Sequence, residues 1–293
     1  MAAIISPNIV LAKRISWCLL YGECTSSRNE PVARTALSDC EFCVINTATS
    51  SRFPRRNVVM ANQENVFLSG EADAWYERNK NLLENKSTDK DPIYQYLQAN
   101  KQFVQNKVVL EVGCSNGYRL SWLKSNFSSK VIGFDPSSKA IEAGSNRFNL
   151  KVPSELFVMG AGLEFWTKSL RENFSAQSID CIIFGHSLYL VPPDQLPQIV
   201  ATTDFLLKQD GIVAIFDFDS LNQRRPYHHT PGEEVYSYKM DYSKLFDWIP
   251  YYRLIFKSVT EHSLAPSKGN PHEDCAISVL RKVPRENAYP QLV

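Results

Sequence analysis

The run Val108-Val109-Leu110-Glu111-Val112-Gly113-Cys114-Ser115-Asn116-Gly117 decides how the chain is read. An apolar stretch ends in an acid, a Gly-x-x-x-Gly turn follows, and Leu120, Leu123 and Phe127 then share one helical face. A parallel strand buried on both faces has such a run, and glycine lets the backbone turn sharply and come close to a ligand. The stretch reads as a strand, loop and helix that hold a nucleotide-like ligand.

Working outward, the same alternation repeats. Strands are expected at about 107–112, 130–135, 155–160, 179–185 and 211–218. Helices are expected between them at about 117–127, 138–148, 162–173 and 194–208, which makes successive βα units and a parallel sheet. Ser137 or Ser138 can cap the second helix, Asp194 the fourth, and Asp210-Gly211 reads as the turn into strand five. Two β-like stretches, Tyr252 to Thr260 and Cys275 to Arg281, then form an antiparallel hairpin around a loop at 266–274. The fold class is therefore α/β: a Rossmann-like, doubly wound, mostly parallel seven-stranded sheet with a C-terminal antiparallel hairpin.

In open sheets of this kind ligands sit at the carboxyl ends of the strands. Strand one ends at Glu111 and the glycine turn, strand two at Asp135-Pro136, strand three at Met159-Gly160-Ala161, and strand four at Gly185-His186. Asp135 lies 18 residues beyond Gly117, near the roughly 20-residue offset at which a carboxylate meets ribose hydroxyls. An ionised carboxylate only accepts hydrogen bonds, and adjacent hydroxyls offer two donors. The bland reading of Asp135 is an acid at a helix N-terminus. His186, with an ordinary pKa of ~6.5, could take a proton from an attacking oxygen or nitrogen. Its bland reading is a residue that satisfies the loop.

The acidic-x-Gly-x-x-x-Gly pattern at 111–117, with Asp135 and the His186 loop behind it, resembles the class I S-adenosylmethionine-dependent methyltransferases over about residues 65–282. The resemblance implies S-adenosyl-L-methionine as cofactor. It places Glu111 on the loop or the methionine amino group, with Gly113 and Gly117 bringing backbone N–H groups close to the cofactor and Cys114 and Ser115 beside it in the same loop. Asp135 and Pro136 go to the ribose, and Gly185 and His186 face the sulfonium. Relatives often carry an acid for adenine after strand three; glycines stand here instead, leaving backbone and apolar contact around Ala161. Trp75, Tyr76 and Arg78 match a helix that lies as a lid over the cofactor, or else simply docks on the sheet. The segment 219–250 is read as a substrate cover, with Tyr227, His228 and His229 beside His186 as candidate catalytic residues and Arg224-Arg225 able to meet an anionic group. The expected activity is O- or N-methylation of a small molecule. Two rivals stand beside it: an NAD(P)-dependent oxidoreductase, disfavoured because the middle glycine of G-x-G-x-x-G is Ser115, and a non-catalytic module that binds S-adenosylmethionine.

Whole-chain totals narrow the class. Lys and Arg number 32 against 31 Asp and Glu in 293 residues, unlike the broad basic surface of a nucleic-acid binder. No apolar run approaches the roughly 20 residues of a membrane span. Seven cysteines, three of them in or beside expected strands, suggest reduced thiols and a cytoplasmic protein. Residues 1–59 lack sustained periodicity. Their Cys40 and Cys43 pair is a weak zinc signal without a histidine, so no metal site is assigned, and Lys13-Arg14 breaks any signal-peptide core. Met60 followed by Ala-Asn-Gln-Glu-Asn-Val-Phe reads as a natural start, so 1–59 is expected to be a poorly ordered or mis-assigned extension. The remaining divisions are a helical lid at 60–106, a methyltransferase domain at 107–283 and a tail at 284–293. Neither the acceptor nor the oligomeric state is legible.

Overall fold

A computed structural model describes residues 63–160, 174–264, 266–269 and 272–289. The 1–59 extension, Ala161, the helix expected at 162–173 and the last four residues lie outside them. Val108–Val112 forms β1, flanked by β2 (Lys130–Asp135) and, beyond it, β3 (Leu156–Val158). On its other side run β4 (Ile179–Gly185) and β5 (Leu207–Phe218), all parallel. Among the described residues β6 (Gln223–Pro226) and β7 (Tyr236–Lys239) form a separate antiparallel pair. The long hairpin of β8 (Tyr252–Glu261) and β9 (Asp274–Lys282) closes the main sheet, giving the order β3-β2-β1-β4-β5-β9-β8.

The helices follow from the apolar periods. Gln63–Val66 and a π turn at Phe67–Glu71 run into α1 (Ala72–Glu84), and α2 (Pro92–Ala99) precedes the sheet. Then come α3 (Tyr118–Phe127), α4 (Ser138–Phe148) and α5 (Leu196–Leu206). Strand side chains alternate between faces. In β4, Cys181 and Ile183 meet Leu97, Leu120, Leu123 and Ile141 on one side, while Ile182 and Phe184 meet Leu196, Ile199 and Val200 on the other. Each such side chain, fully buried, stabilises the fold by about 1.5–3 kcal/mol, and Cys114, Cys181 and Cys275 are free thiols within this core. No helix among the described residues is long and apolar enough to cross a membrane.

Local expectations shift at three places. β5 begins at Leu207, so Asp210-Gly211 lies inside the strand. Pairing with β4 steps from Ile179–Leu207 to Cys181–Ile212, and Asp210 takes up the excess at φ +63°. An Asp-Gly pair accommodates a left-handed bulge as readily as a turn. α5 starts after Gln195 without a side-chain cap, because the turn after Pro192-Pro193 carries the chain past Asp194. Ser137 rather than Ser138 caps α4, its Oγ accepting from the Ala140 N–H at 3.0 Å.

Candidate active site

The carboxyl ends of β1, β2, β3, β4 and β5 open into a cavity of about 1000 Å³. Small-molecule sites span ~300–1,000 Å³, so this one has room for two ligands side by side. Its floor is the glycine loop. The N–H groups of Gly113 and Cys114 both donate to the Phe134 carbonyl, at 2.8 and 3.0 Å, and that of Gly117 to the Cys114 carbonyl at 2.9 Å. The expectation that Gly113 and Gly117 aim their amides at the ligand is therefore corrected: these donors are used inside the protein. What Gly113 supplies is closeness. At φ +71° it lets the loop after β1 approach the loop after β4, where a Cβ would lie 2.6 Å from the Ser187 Cβ.

Asp135 ties this floor together. Its Oδ2 accepts from the Ser115 N–H at 2.7 Å and its Oδ1 from the Ser137 N–H at 2.9 Å. A carboxylate has about four acceptor positions, so two remain for hydroxyl donors in the cavity. Burial pushes its pKa up to about 6, with the Ser137 and Ser115 hydrogen bonds pulling the other way.

Glu111, also fully buried, is held by Arg119 from α3. Arg119 pairs in turn with Asp91, the residue that caps α2, at 2.8 Å, and Tyr118 donates to the same carboxylate at 3.1 Å. Desolvation pushes the Glu111 pKa up to about 7 against the attraction of Arg119. One Glu111 oxygen takes the guanidinium. The other, Oε2, is buried without a hydrogen-bond partner among the described residues, as are the hydroxyls of Ser115 and Ser187. All three residues line the cavity. An unpaired buried polar group costs about 1–3 kcal/mol, and one acceptor beside two hydroxyls suits the zwitterionic end of an amino acid.

His186 turns off β4 at φ +54° while its N–H donates to the Phe216 carbonyl at 2.7 Å. Its ring packs against Phe216 (4.7 Å between centroids), His262 (5.3 Å) and Phe218 (5.9 Å). Nδ1 lies 3.9 Å from Asp217, too far for a hydrogen bond. Burial first, then His262, Lys86 and Arg119, lower its pKa to about 3. The ordinary histidine value expected for a general base is not the value here.

The cover forms its own small sheet rather than a loop. β6 and β7 roof the cavity, with Tyr227, His228 and His229 in the connection between them. Tyr227 is buried and its hydroxyl donates to Glu71 at 3.0 Å, an acid that also pairs with Arg78. Desolvation raises the Tyr227 pKa, with Glu71 adding to it. Gln63 latches the N-terminal segment to the roof: its amide donates to the carbonyls of Leu190 (2.5 Å) and Tyr236 (2.9 Å) and accepts from the Tyr236 N–H at 3.0 Å.

Of the expected site residues, Trp75, Glu111, Gly113, Cys114, Ser115, Asp135, Pro136, Gly185, His186, Tyr227, His228 and His229 meet at this cavity. Three do not reach its wall. Tyr76 is buried against Tyr118 and Ala140, Arg78 is drawn to Glu71, and Gly117 lies over Leu150 and Leu156. A helix shows one face to the cavity, and Trp75 and Asn79 occupy it. Sequence reasoning missed Gln63, Glu71, Asp91, Arg119, Lys239 and His262. Only Asp91 left a signal, an acid before Pro92 at a helix start; the others are placed by the fold, as Gln63 is by Tyr236 and Glu71 by Tyr227.

The methyltransferase-domain family matches residues 85–263, more than half of the chain. The chain belongs to this family. It is an S-adenosylmethionine-dependent methyltransferase, with S-adenosylmethionine as its cofactor. No curated protein matches the chain in sequence. Among solved structures the fold is similar to that of 1,6-didemethyltoxoflavin-N1-methyltransferase from Burkholderia thailandensis, with bound 1,6-didemethyltoxoflavin and S-adenosylhomocysteine. The TM-score is 0.55 and the identity 13%, over 75% of this chain and 89% of the other. An S-adenosylmethionine-dependent methyltransferase from Mesorhizobium loti gives a TM-score of 0.48 at 11% identity, over 67% and 100% of the two chains.

Proposed function

We propose that this methyltransferase modifies a small-molecule acceptor at oxygen or nitrogen. The roof carries this reading. With Gln63 bonded to Tyr236 and Leu190, and Tyr227 bonded to Glu71, the β6–β7 segment that lines the cavity together with His186 is fastened to the N-terminal segment. A small planar or polar molecule fits beneath such a cover, whereas a folded macromolecule would have to displace it. The Burkholderia enzyme, with 1,6-didemethyltoxoflavin bound, accords with this size class. Free buried thiols accord with a cytoplasmic location.

S-adenosylmethionine, when bound, supplies an electrophilic methyl group on a sulfonium. In our reading Glu111 Oε2 accepts from its ammonium, and the hydroxyls of Ser115 and Ser187 donate to its carboxylate. Asp135 accepts from the ribose hydroxyls through the positions that Ser115 and Ser137 leave open. Trp75 and the Gln63–Glu84 segment act as the lid, shutting water from the reacting groups. His186 lines the wall as a neutral ring; alignment of donor and acceptor in a dry site supplies most of what methyl transfer asks of a protein. The test is methyl-label transfer to pooled metabolites, with calorimetry of S-adenosylhomocysteine alongside. Binding and label transfer to a small molecule are the expected results; binding with transfer only to protein or nucleic acid would overturn the acceptor class.

A further inference from the structure

The half of the cavity beyond His186 has a distinct chemistry. Phe218, near the end of β5, has His262 stacked on it, the planes 14° apart and the centroids 5.9 Å apart. The Lys239 ammonium lies 4.0 Å from the same ring centre, and Lys239 is only 7% exposed. One Glu273 oxygen accepts a hydrogen bond from it at 3.3 Å, and the other accepts from Arg225 at 3.0 Å. Two cations thus share one carboxylate. Asp217 accepts from the N–H groups of Leu188 and Phe218 at 3.0 and 2.8 Å, while Asp91 and one oxygen of Glu111 are held by Arg119. Both histidines have lowered proton affinity. Burial and then His262, Lys86 and Arg119 lower His186, and burial and then Lys239 lower His262, with Glu273 opposing. This space is aromatic and electropositive.

We propose that the methyl acceptor is a planar aromatic molecule that enters with an ionised ring oxygen, lying against Phe218 and His262 with Lys239 facing that oxygen. The proposal rests on the methyltransferase reading above. A lone pair of the ring oxygen attacks the methyl carbon as the carbon–sulfur bond breaks, and the bonding electrons stay on sulfur. Anion and sulfonium become a neutral ether and a neutral thioether, and no proton has to be removed. An aliphatic alcohol would have to lose a proton during transfer, a step that the ionised ring oxygen does not need. Lys239 and Arg225 favour the ionised form of the acceptor by Coulomb attraction in a poorly solvated site.

The experiment offers labelled S-adenosylmethionine with phenol, 4-cyanophenol and 4-nitrophenol at pH 7.5, against benzyl alcohol and cyclohexanol. Labelling should rise with the ionised fraction of the phenol and be absent from the alcohols. Lys239→Met should raise the KM of the best phenol roughly ten- to a hundredfold, the usual weight of a charged hydrogen bond. Lys239→Arg, which keeps the charge, should stay within about threefold of wild type. Glu273→Gln frees both cations and should lower KM, an opposite sign that keeps the proposal open to refutation if Lys239→Met does not fold. Affinity for S-adenosylhomocysteine should be unchanged in all three variants. If the wild-type protein does not bind S-adenosylhomocysteine, the methyltransferase reading itself fails. If it binds but labels the alcohols, labels none of the phenols, or keeps its KM in Lys239→Met, the acceptor proposal alone is overturned.

Discussion

Asp135 holds the protein together and, in the proposed reading, also meets the ligand. It anchors the glycine loop through Ser115 and the start of α4 through Ser137. In Asp135→Ala, affinity for S-adenosylhomocysteine should fall by about 1–3 kcal/mol in calorimetry, the cost of an unmade hydrogen bond to a charged group. Unchanged affinity would remove Asp135 from the site. His186 makes a prediction about pH. The unfolded histidine binds a proton below ~6.5, and the folded one only near 3. Between those values the unfolded state holds more protons, so stability is present above the upper value and is lost as pH falls. Chemical denaturation at pH 7 and pH 5.5 should show His186→Gln losing less stability than wild type, by on the order of 1 kcal/mol. Equal losses would contradict a neutral, buried ring.

Among elements, the linkage of α2, β1 and α3 through Asp91, Arg119 and Glu111 deserves its own test. Arg119 is buried, and removing it leaves two buried carboxylates facing each other. Arg119→Leu should therefore lower stability by about 3–5 kcal/mol, measured by denaturant unfolding. A loss within error of zero would show that both acids are simply protonated there. The roof is held by fewer bonds. In Gln63→Ala the three hydrogen bonds to Leu190 and Tyr236 disappear. Amide exchange of Tyr236 should then quicken while that of β4 stays slow, because a local opening leaves the core strands intact. α4 lies on the glycine loop through Gly144, where a Cβ would stand 2.1 Å from the Asn116 carbonyl oxygen. Nothing in the local pattern marks that closeness.

For the whole molecule, binding and folding are linked. A ligand that binds only the folded state at about 100 times its dissociation constant adds about 2.7 kcal/mol. For a domain of this size S-adenosylhomocysteine should raise Tm by roughly 5–10 °C. Glu111→Gln should shrink that shift, since an amide replaces the carboxylate offered to the ammonium. An equal shift in both proteins would put the ammonium elsewhere. The hairpin β8–β9 completes the sheet, brings His262 to the cavity wall and pairs Glu273 with Lys239, so one element builds both the edge of the sheet and part of the cavity's surroundings.

By itself the sequence determined the sheet and the strand ends that line the cavity. Buried strands show as apolar runs and helices as periods near 3.6, so β1, β2, β4, α3 and α4 were legible from local pattern. Glu111, Gly113 and Asp135 were legible as cavity-lining residues because each lies at or just past the end of a strand. Tertiary structure alone decided the rest. Which amides face the cavity depends on the Phe134 carbonyl across the neighbouring strand. The proton affinity of His186 depends on Phe216, His262 and Lys86, and the closing of the roof depends on a glutamine 173 residues from its partner. These are long-range packing and electrostatic effects. They act between side chains whose proximity exists only once the chain has folded.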